Sequence, residues 1–229
     1  MLKYSLSIAY MHFWDTILTI VFPSKCVACE RRGPELCLPC LAAIPTAERE
    51  SAKWIFPLYD YRHPGIKKSL WLFKYQGKKR LAGVFAEILY GKISEELAEL
   101  GPMENFSQPI LVPIPLSGKR YRERGFNQAE LICRELIKIN EMRQGRYLKL
   151  ENNILKKPKD TEHQARIKDR RERLKNMRGT FAVKTSEFVR GKNIILIDDI
   201  LTTGATLSEA RRVLKEAGAR KVIAFTIAH

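Results

Sequence analysis

The chain has 229 residues, 45% of them hydrophobic, enough for one full α/β domain with a small appendage but not for two large domains. Its 41 Lys and Arg against 25 Asp and Glu give a formal charge of +16, well outside the range of an ordinary soluble enzyme. A small phosphate-rich ligand accounts for a few of those charges, so nucleic acid or an anionic surface is the expected partner of the rest.

Met1 to Pro23 is apolar, yet Asp15 interrupts it, no uncharged run reaches the length of a membrane span, and a small-residue cleavage site is missing. The expectation is an amphipathic helix carrying Phe13, Trp14, Ile17, Leu18 and Val21 on one face, docked on the body or on a membrane surface. There is no second apolar segment, so no transmembrane span is expected and the chain reads as cytoplasmic, with reduced thiols. Cys26, Cys29, Cys37 and Cys40 then form two Cys-x-x-Cys pairs separated by seven residues. Each pair directs two thiolates at one centre, and four thiolates suit a tetrahedral structural Zn²⁺ with no open position for catalysis. Residues 1–50 are read as this helix and zinc module, and 51–229 as the main domain.

A segment dense in aromatic residues, Trp54 to Tyr75, follows. From Leu81, apolar residues at Val84, Phe85, Ile88, Leu89 and Ile93 predict a helix of about three or four turns. Ile110 to Ile114 predicts a buried parallel strand that feeds a loop from Pro113 to Gly125. Ala129, Ile132, Cys133, Leu136 and Ile137 predict a second amphipathic helix, which makes the fifth cysteine a buried small hydrophobe. Lys156 to Arg178 carries ten Lys or Arg and four Asp or Glu, too polar to supply core. Ile194 to Ile197 and Val222 to Ile227 predict strands joined by a helix over Thr206 to Ala217, with Gly218 as its C-terminal cap. Alternating strands and helices imply an α/β fold, a parallel sheet with helices on both faces.

The stretch Ile194 to Thr206 carries the chemistry. Four branched residues make a buried strand, and Asp198 and Asp199 follow where it emerges, the edge at which open α/β sheets bind ligands. Thr202, Thr203, Gly204, Ala205 and Thr206 then turn into a helix N-terminus, where free amides and the helix dipole favour an anion. A plain capped turn, with Thr206 as N-cap and Glu209 closing a capping box, leaves the acidic pair and the Thr-Thr-Gly run unexplained.

This stretch resembles the PRPP-binding signature of type I phosphoribosyltransferases. By that resemblance Asp198 and Asp199 hold the ribose hydroxyls and an associated Mg²⁺, and Thr202 to Thr206 cradle the 5′-phosphate. The pyrophosphate side falls to the loop after the earlier strand, with Leu116, Ser117, Lys119 and Arg120. Together with the four-cysteine module that precedes it, the chain resembles the ComF family. Phe73-Lys-Tyr-Gln-Gly77, Val112-Pro-Ile-Pro-Leu-Ser117, Arg124-Gly-Phe-Asn-Gln128, Gln164, Arg173-Leu-Lys-Asn176 and Phe181 extend the likeness over most of its length. The family implies a role in natural competence, handling incoming single-stranded DNA in the cytoplasm.

Two functions are therefore expected to compete. One is a binding protein for PRPP or ribose 5-phosphate groups that also holds single-stranded DNA, through charges interleaved with rings at Lys67, Lys68, Trp71, Lys74, Tyr75, Arg122 and Arg124. The other is an active Mg²⁺-dependent phosphoribosyltransferase, in which Lys119, Arg120, Arg122 and Arg124 stabilise departing pyrophosphate and an unidentified nitrogen acceptor attacks. A glutamine-dependent version is not expected, since it needs a glutaminase domain with an N-terminal cysteine and this chain starts Met1-Leu2-Lys3. A DNA-translocating helicase is a further expected partner.

Overall fold

A run such as Ile194-Ile-Leu-Ile197 has no polar face to offer water, so it belongs in the middle of a sheet covered on both sides. The computed structural model, which describes residues 24–48, 52–145, 147–158 and 178–229, places it there. The helix expected before residue 24, and with it nearly all of the basic arm, Gln164 and Arg173 to Asn176, lie outside the described residues.

In chain order the elements are α1 (Leu38–Ala42), β1 (Ile55–Tyr59), α2 (Pro64–Tyr75), α3 (Leu81–Glu104), β2 (Ile110–Pro113), α4 (Gly118–Arg124), α5 (Gln128–Met142) and β3 (Lys149–Leu150). They continue with β4 (Leu155–Lys156), β5 (Ala182–Val183), β6 (Asn193–Ile200), α6 (Ala205–Glu216) and β7 (Lys221–Ala228). Five strands form one parallel sheet in the order β1-β7-β6-β2-β3, and β4 pairs antiparallel with β5 beside it. Alternate residues of β6 and β7 enter different cores. Ile195, Ile197, Ile223 and Phe225 pack with α2, α3 and α5, whereas Ile194, Leu196, Val222 and Ala224 pack with α6. Cys26, Leu36, Leu41 and Ile44 of the cysteine segment join the first of these cores.

Local structure departs from the sequence expectations in four places. The helix α3 has 24 residues rather than three or four turns, because half-buried Leu97 and Leu100 extend its apolar stripe and Lys92 pairs with buried Glu96 at 2.9 Å. It stops at Asn105, whose left-handed backbone (φ 49°) ends the helix after Pro102. The segment from Pro113 to Gly125 is not all loop, since Ser117 and Gly125 (φ 75°) cap the short helix α4. The aromatic-rich stretch from Trp54 to Tyr75 supplies both edge strand β1 and helix α2, the latter opened by Pro64 at its first turn and by His63, whose Nδ1 accepts the Gly65 N–H at 3.2 Å. Finally, Thr206 is not an N-cap: Gly204 holds that position, and Glu209 accepts the Gly179 N–H at 2.7 Å and pairs with Arg212 instead of closing a capping box.

Candidate functional site

Strands β2 and β6 are neighbours, but β2 leads through α5 to β3 on one side and β6 leads through α6 to β7 on the other. Connections that diverge in this way open a crevice at the C-terminal ends of the two strands. A cleft of about 380 Å³ lies there, lined from β2 by Ile114, Pro115 and Leu116 and from β6 by Asp198, Asp199 and Ile200. Thr202, Thr203, Ala205 and Thr206 complete one wall, and Lys74, Arg120, Arg124 and Lys157 supply its positive charge.

The end of β6 fixes both carboxylates. Asp198 Oδ1 accepts the backbone N–H of Asp199 at 2.8 Å, and Asp199 Oδ1 meets Lys74 Nζ at 2.9 Å. Asp199 is 8% exposed, so its charge needs that partner. Burial, and next the charge of Asp199, push the Asp198 carboxyl up to about 7 from its ordinary 3.8. Between those values the folded state holds a proton that the unfolded chain has released, so stability falls as pH rises through this window, and the penalty is complete above it. Asp198→Asn is expected to remove that slope and to be about 1–2 kcal/mol more stable than wild type at pH 8, measured by urea denaturation. An unchanged pH profile would contradict this reading of the pair.

After β6 the chain is pinned by Leu201, which is buried and donates its N–H to Ala228 at 2.8 Å. The Thr202–Thr203 step then passes Gly204, whose φ of 73° is left-handed, and enters α6 at Ala205. A Cβ on Gly204 would meet only Ile55 and Leu201, at 3.8 Å, so within the protein the backbone conformation rather than crowding calls for glycine. No side chain caps α6, which leaves its first amides available to an anion beside three threonine hydroxyls.

From the loop after β2, the cleft takes Leu116, Arg120 and Arg124 but not Ser117, Lys119 or Arg122. Ser117 is buried and accepts the Arg120 N–H at 3.4 Å, which makes it the cap that aims α4. Lys74 was expected on a nucleic-acid face and instead reaches into the cleft. Lys157 was missed: it follows β4, and only the pairing of β4 with β5 carries it to the wall, next to the Phe181 ring at 5.5 Å.

Helix α2 separates the rings it was expected to offer. Phe73 is buried against Phe85 and Phe126, which is itself buried, and these belong to the core. Trp71 and Tyr75 are 50% and 59% exposed, with ring centroids 6.3 Å apart, and Lys67 and Lys68 are exposed on the same helix. The Arg124 guanidinium lies 5.3 Å from the Tyr75 ring centre, so one residue touches both this strip and the cleft.

The ligand atoms of Cys26, Cys29, Cys37 and Cys40 all lie within 4.8 Å of one another. Cys29 Sγ and Cys37 Sγ are 3.7 Å apart, far beyond a disulfide and close to the edge of about 3.8 Å that a tetrahedron of zinc thiolates requires. The Cys37 N–H donates to Cys26 Sγ at 3.4 Å. Burial alone would raise the Cys26 thiol, but N–H groups of Cys29, Cys37 and Ala28 outweigh it and lower the thiol to about 6. Hydrogen bonds with Cys37 and Cys29 hold Cys40 up at about 12, so the four become thiolates together only around a cation. This donor set fits zinc.

The family model described as "Phosphoribosyl transferase domain" matches residues 148–229, which contain β6, the threonine turn and β7. The chain is 33% identical over 209 residues to Competence protein ComFC of Streptococcus pneumoniae, covering 86% of this chain and 82% of that protein. The chain belongs to the ComF family. Competence protein ComFC of Bacillus subtilis is also 33% identical, over 71% of this ComF chain, which spans 59% of that relative's length. Hypoxanthine phosphoribosyl transferase of Trypanosoma cruzi aligns over 65% of this chain and 64% of its own, with a TM-score of 0.39 and 13% identity. The ComF chain thus combines a type I phosphoribosyltransferase-like parallel sheet with an N-terminal four-cysteine cluster that could hold zinc. Among the described residues, no helix is long and apolar enough to cross a membrane.

Proposed function

We propose that the chain binds PRPP or a related ribose 5-phosphate group in the β2–β6 cleft, binds single-stranded DNA on the adjoining α2 surface, and acts in DNA uptake. The observation that carries the proposal is the convergence of one acidic pair, one uncapped helix start and four cations on a single cleft. Carboxylates suit ribose hydroxyls and a divalent ion, and the threonine turn suits a terminal phosphate. Arg120 and Arg124 face the same space from the α4 side, where a pyrophosphate would lie. Asp198 and Asp199 would hold Mg²⁺, which would neutralise part of the ligand's charge. Beside the cleft, Trp71 and Tyr75 offer ring faces to bases, and Lys67, Lys68 and Arg124 offer charge to phosphates.

The test is a titration of labelled single-stranded DNA, with and without Mg²⁺-PRPP. Affinity is expected to fall with salt by a slope of about −0.7 per phosphate contacted. Trp71→Ala and Tyr75→Ala are each expected to weaken binding by about 1–3 kcal/mol. Binding that ignores both salt and these rings would overturn the DNA half of the proposal.

A further inference from the structure

Two adjacent carboxylates at the end of a buried strand repel each other and repel an incoming phosphate. A divalent ion usually solves both problems. In this chain a protein cation already meets one of the two carboxylates. Lys74 Nζ lies 2.9 Å from Asp199 Oδ1, with the two side chains only 14% and 11% exposed. The helix that delivers it has little freedom to withdraw it. Ile66, Leu70 and Phe73 of α2 are all fully buried, and Phe73 is wedged against Phe85 and Phe126. The residue after Phe73 therefore leaves the core at a fixed place, in the last helical turn, where the dipole favours a cation. Gly77, with φ of 64°, turns the chain away just beyond it.

We infer that Lys74 is a built-in counter-ion that takes over the charge-neutralising role of the divalent metal, so that this cleft accepts a monophosphorylated ribose without Mg²⁺. Lys74 is thus a positioning residue: it neutralises Asp199 and leaves the carboxylate oxygens aimed at the ribose hydroxyls, while the threonine turn holds the phosphate. Of the three other cations in the wall, Arg124 is engaged with Gln128 at 2.9 Å and with the Tyr75 ring. Lys157 adds a longer-range attraction to Asp198, while Lys74 meets Asp199 directly at 2.9 Å. The inference rests on the phosphoribosyl reading above.

Calorimetric titration with ribose 5-phosphate tests it on wild type, Lys74→Met and Lys74→Arg, each in EDTA and in Mg²⁺. Wild type is expected to bind equally well, within about two-fold, in both buffers. Lys74→Met is expected to weaken binding about ten-fold or more in EDTA and to recover most of it in Mg²⁺, and Lys74→Arg is expected to behave as wild type. Recovery in Mg²⁺ also shows that the variant's cleft is folded. Wild-type binding that requires Mg²⁺ would overturn the inference and leave the phosphoribosyl reading standing. Equal loss by Lys74→Met in both buffers would overturn it too, since Lys74 would then grip the ligand directly. No binding by wild type in either buffer would overturn both readings together.

Discussion

Asp199→Ala is expected to abolish binding of a phosphoribosyl ligand and to destabilise the fold by about 2–3 kcal/mol, read from the urea midpoint. Both effects have one cause. The Asp199 carboxylate pairs with Lys74 at 2.9 Å, in a position where neither side chain is more than 14% exposed. Removing it strands an ammonium group between the sheet and α2, and the cost of an uncompensated charge exceeds the net value of the pair. The double variant Asp199→Ala with Lys74→Met should therefore recover part of the stability but none of the binding. Strictly additive losses in that cycle would show that the two side chains are not coupled. Asp198→Asn is the contrasting neighbour, expected to gain stability above neutral pH because burial works against its charge.

The cysteine cluster carries the second large effect. Purified protein is expected to hold one zinc per chain, and Cys40→Ser is expected to lose it and to lower stability by on the order of 5 kcal/mol. The size follows from where the segment packs. Cys26, Leu36, Leu41 and Ile44 share a core with Phe56, Ile66, Leu70 and Phe73, yet between Cys26 and Cys40 the only regular element is the start of the five-residue helix α1. Without a cation, four thiols this close cannot all ionise, and the bonds that join the two chelating turns, such as the Val27 N–H to the Glu35 carbonyl at 2.8 Å and the Cys37 N–H to Cys26 Sγ at 3.4 Å, are weak beside four metal–thiolate bonds. Melting wild type with and without a zinc chelator gives the same readout without a mutation. A metal-free preparation as stable as the zinc-loaded one would contradict the assignment.

Much of this architecture is written in local sequence. The apolar run Ile194–Ile197 identifies the central strand, the stripe Ile132, Cys133, Leu136 identifies α5, and the acidic pair and Thr-Thr-Gly turn identify the edge where the cleft opens, because each is fixed by residues adjacent in the chain. What the sequence hides is what only tertiary packing decides. Lys74 reads as one more surface charge among its basic neighbours, and only the burial of Phe73 beside it shows that it points into the cleft. Lys157 looks like the start of a solvated basic arm until β4 pairs with β5. Ser117 looks like a ligand residue and proves to be a cap, because a serine before a short helix satisfies backbone amides as readily as it would a phosphate. The four aromatics Trp71, Phe73, Tyr75 and Phe126 split evenly between surface and core, a division set by the face of α2 and by α5 rather than by residue type.

Binding of a phosphoribosyl group in the β2–β6 cleft is tested most directly by a calorimetric titration of Mg²⁺-PRPP into wild type and Asp199→Ala, with inorganic pyrophosphate as competitor. Saturable one-to-one binding to wild type, displaced by pyrophosphate and lost in Asp199→Ala, is the expected result. Absence of saturable binding, or binding that survives Asp199→Ala unchanged, would show that the cleft is not a phosphoribosyl site.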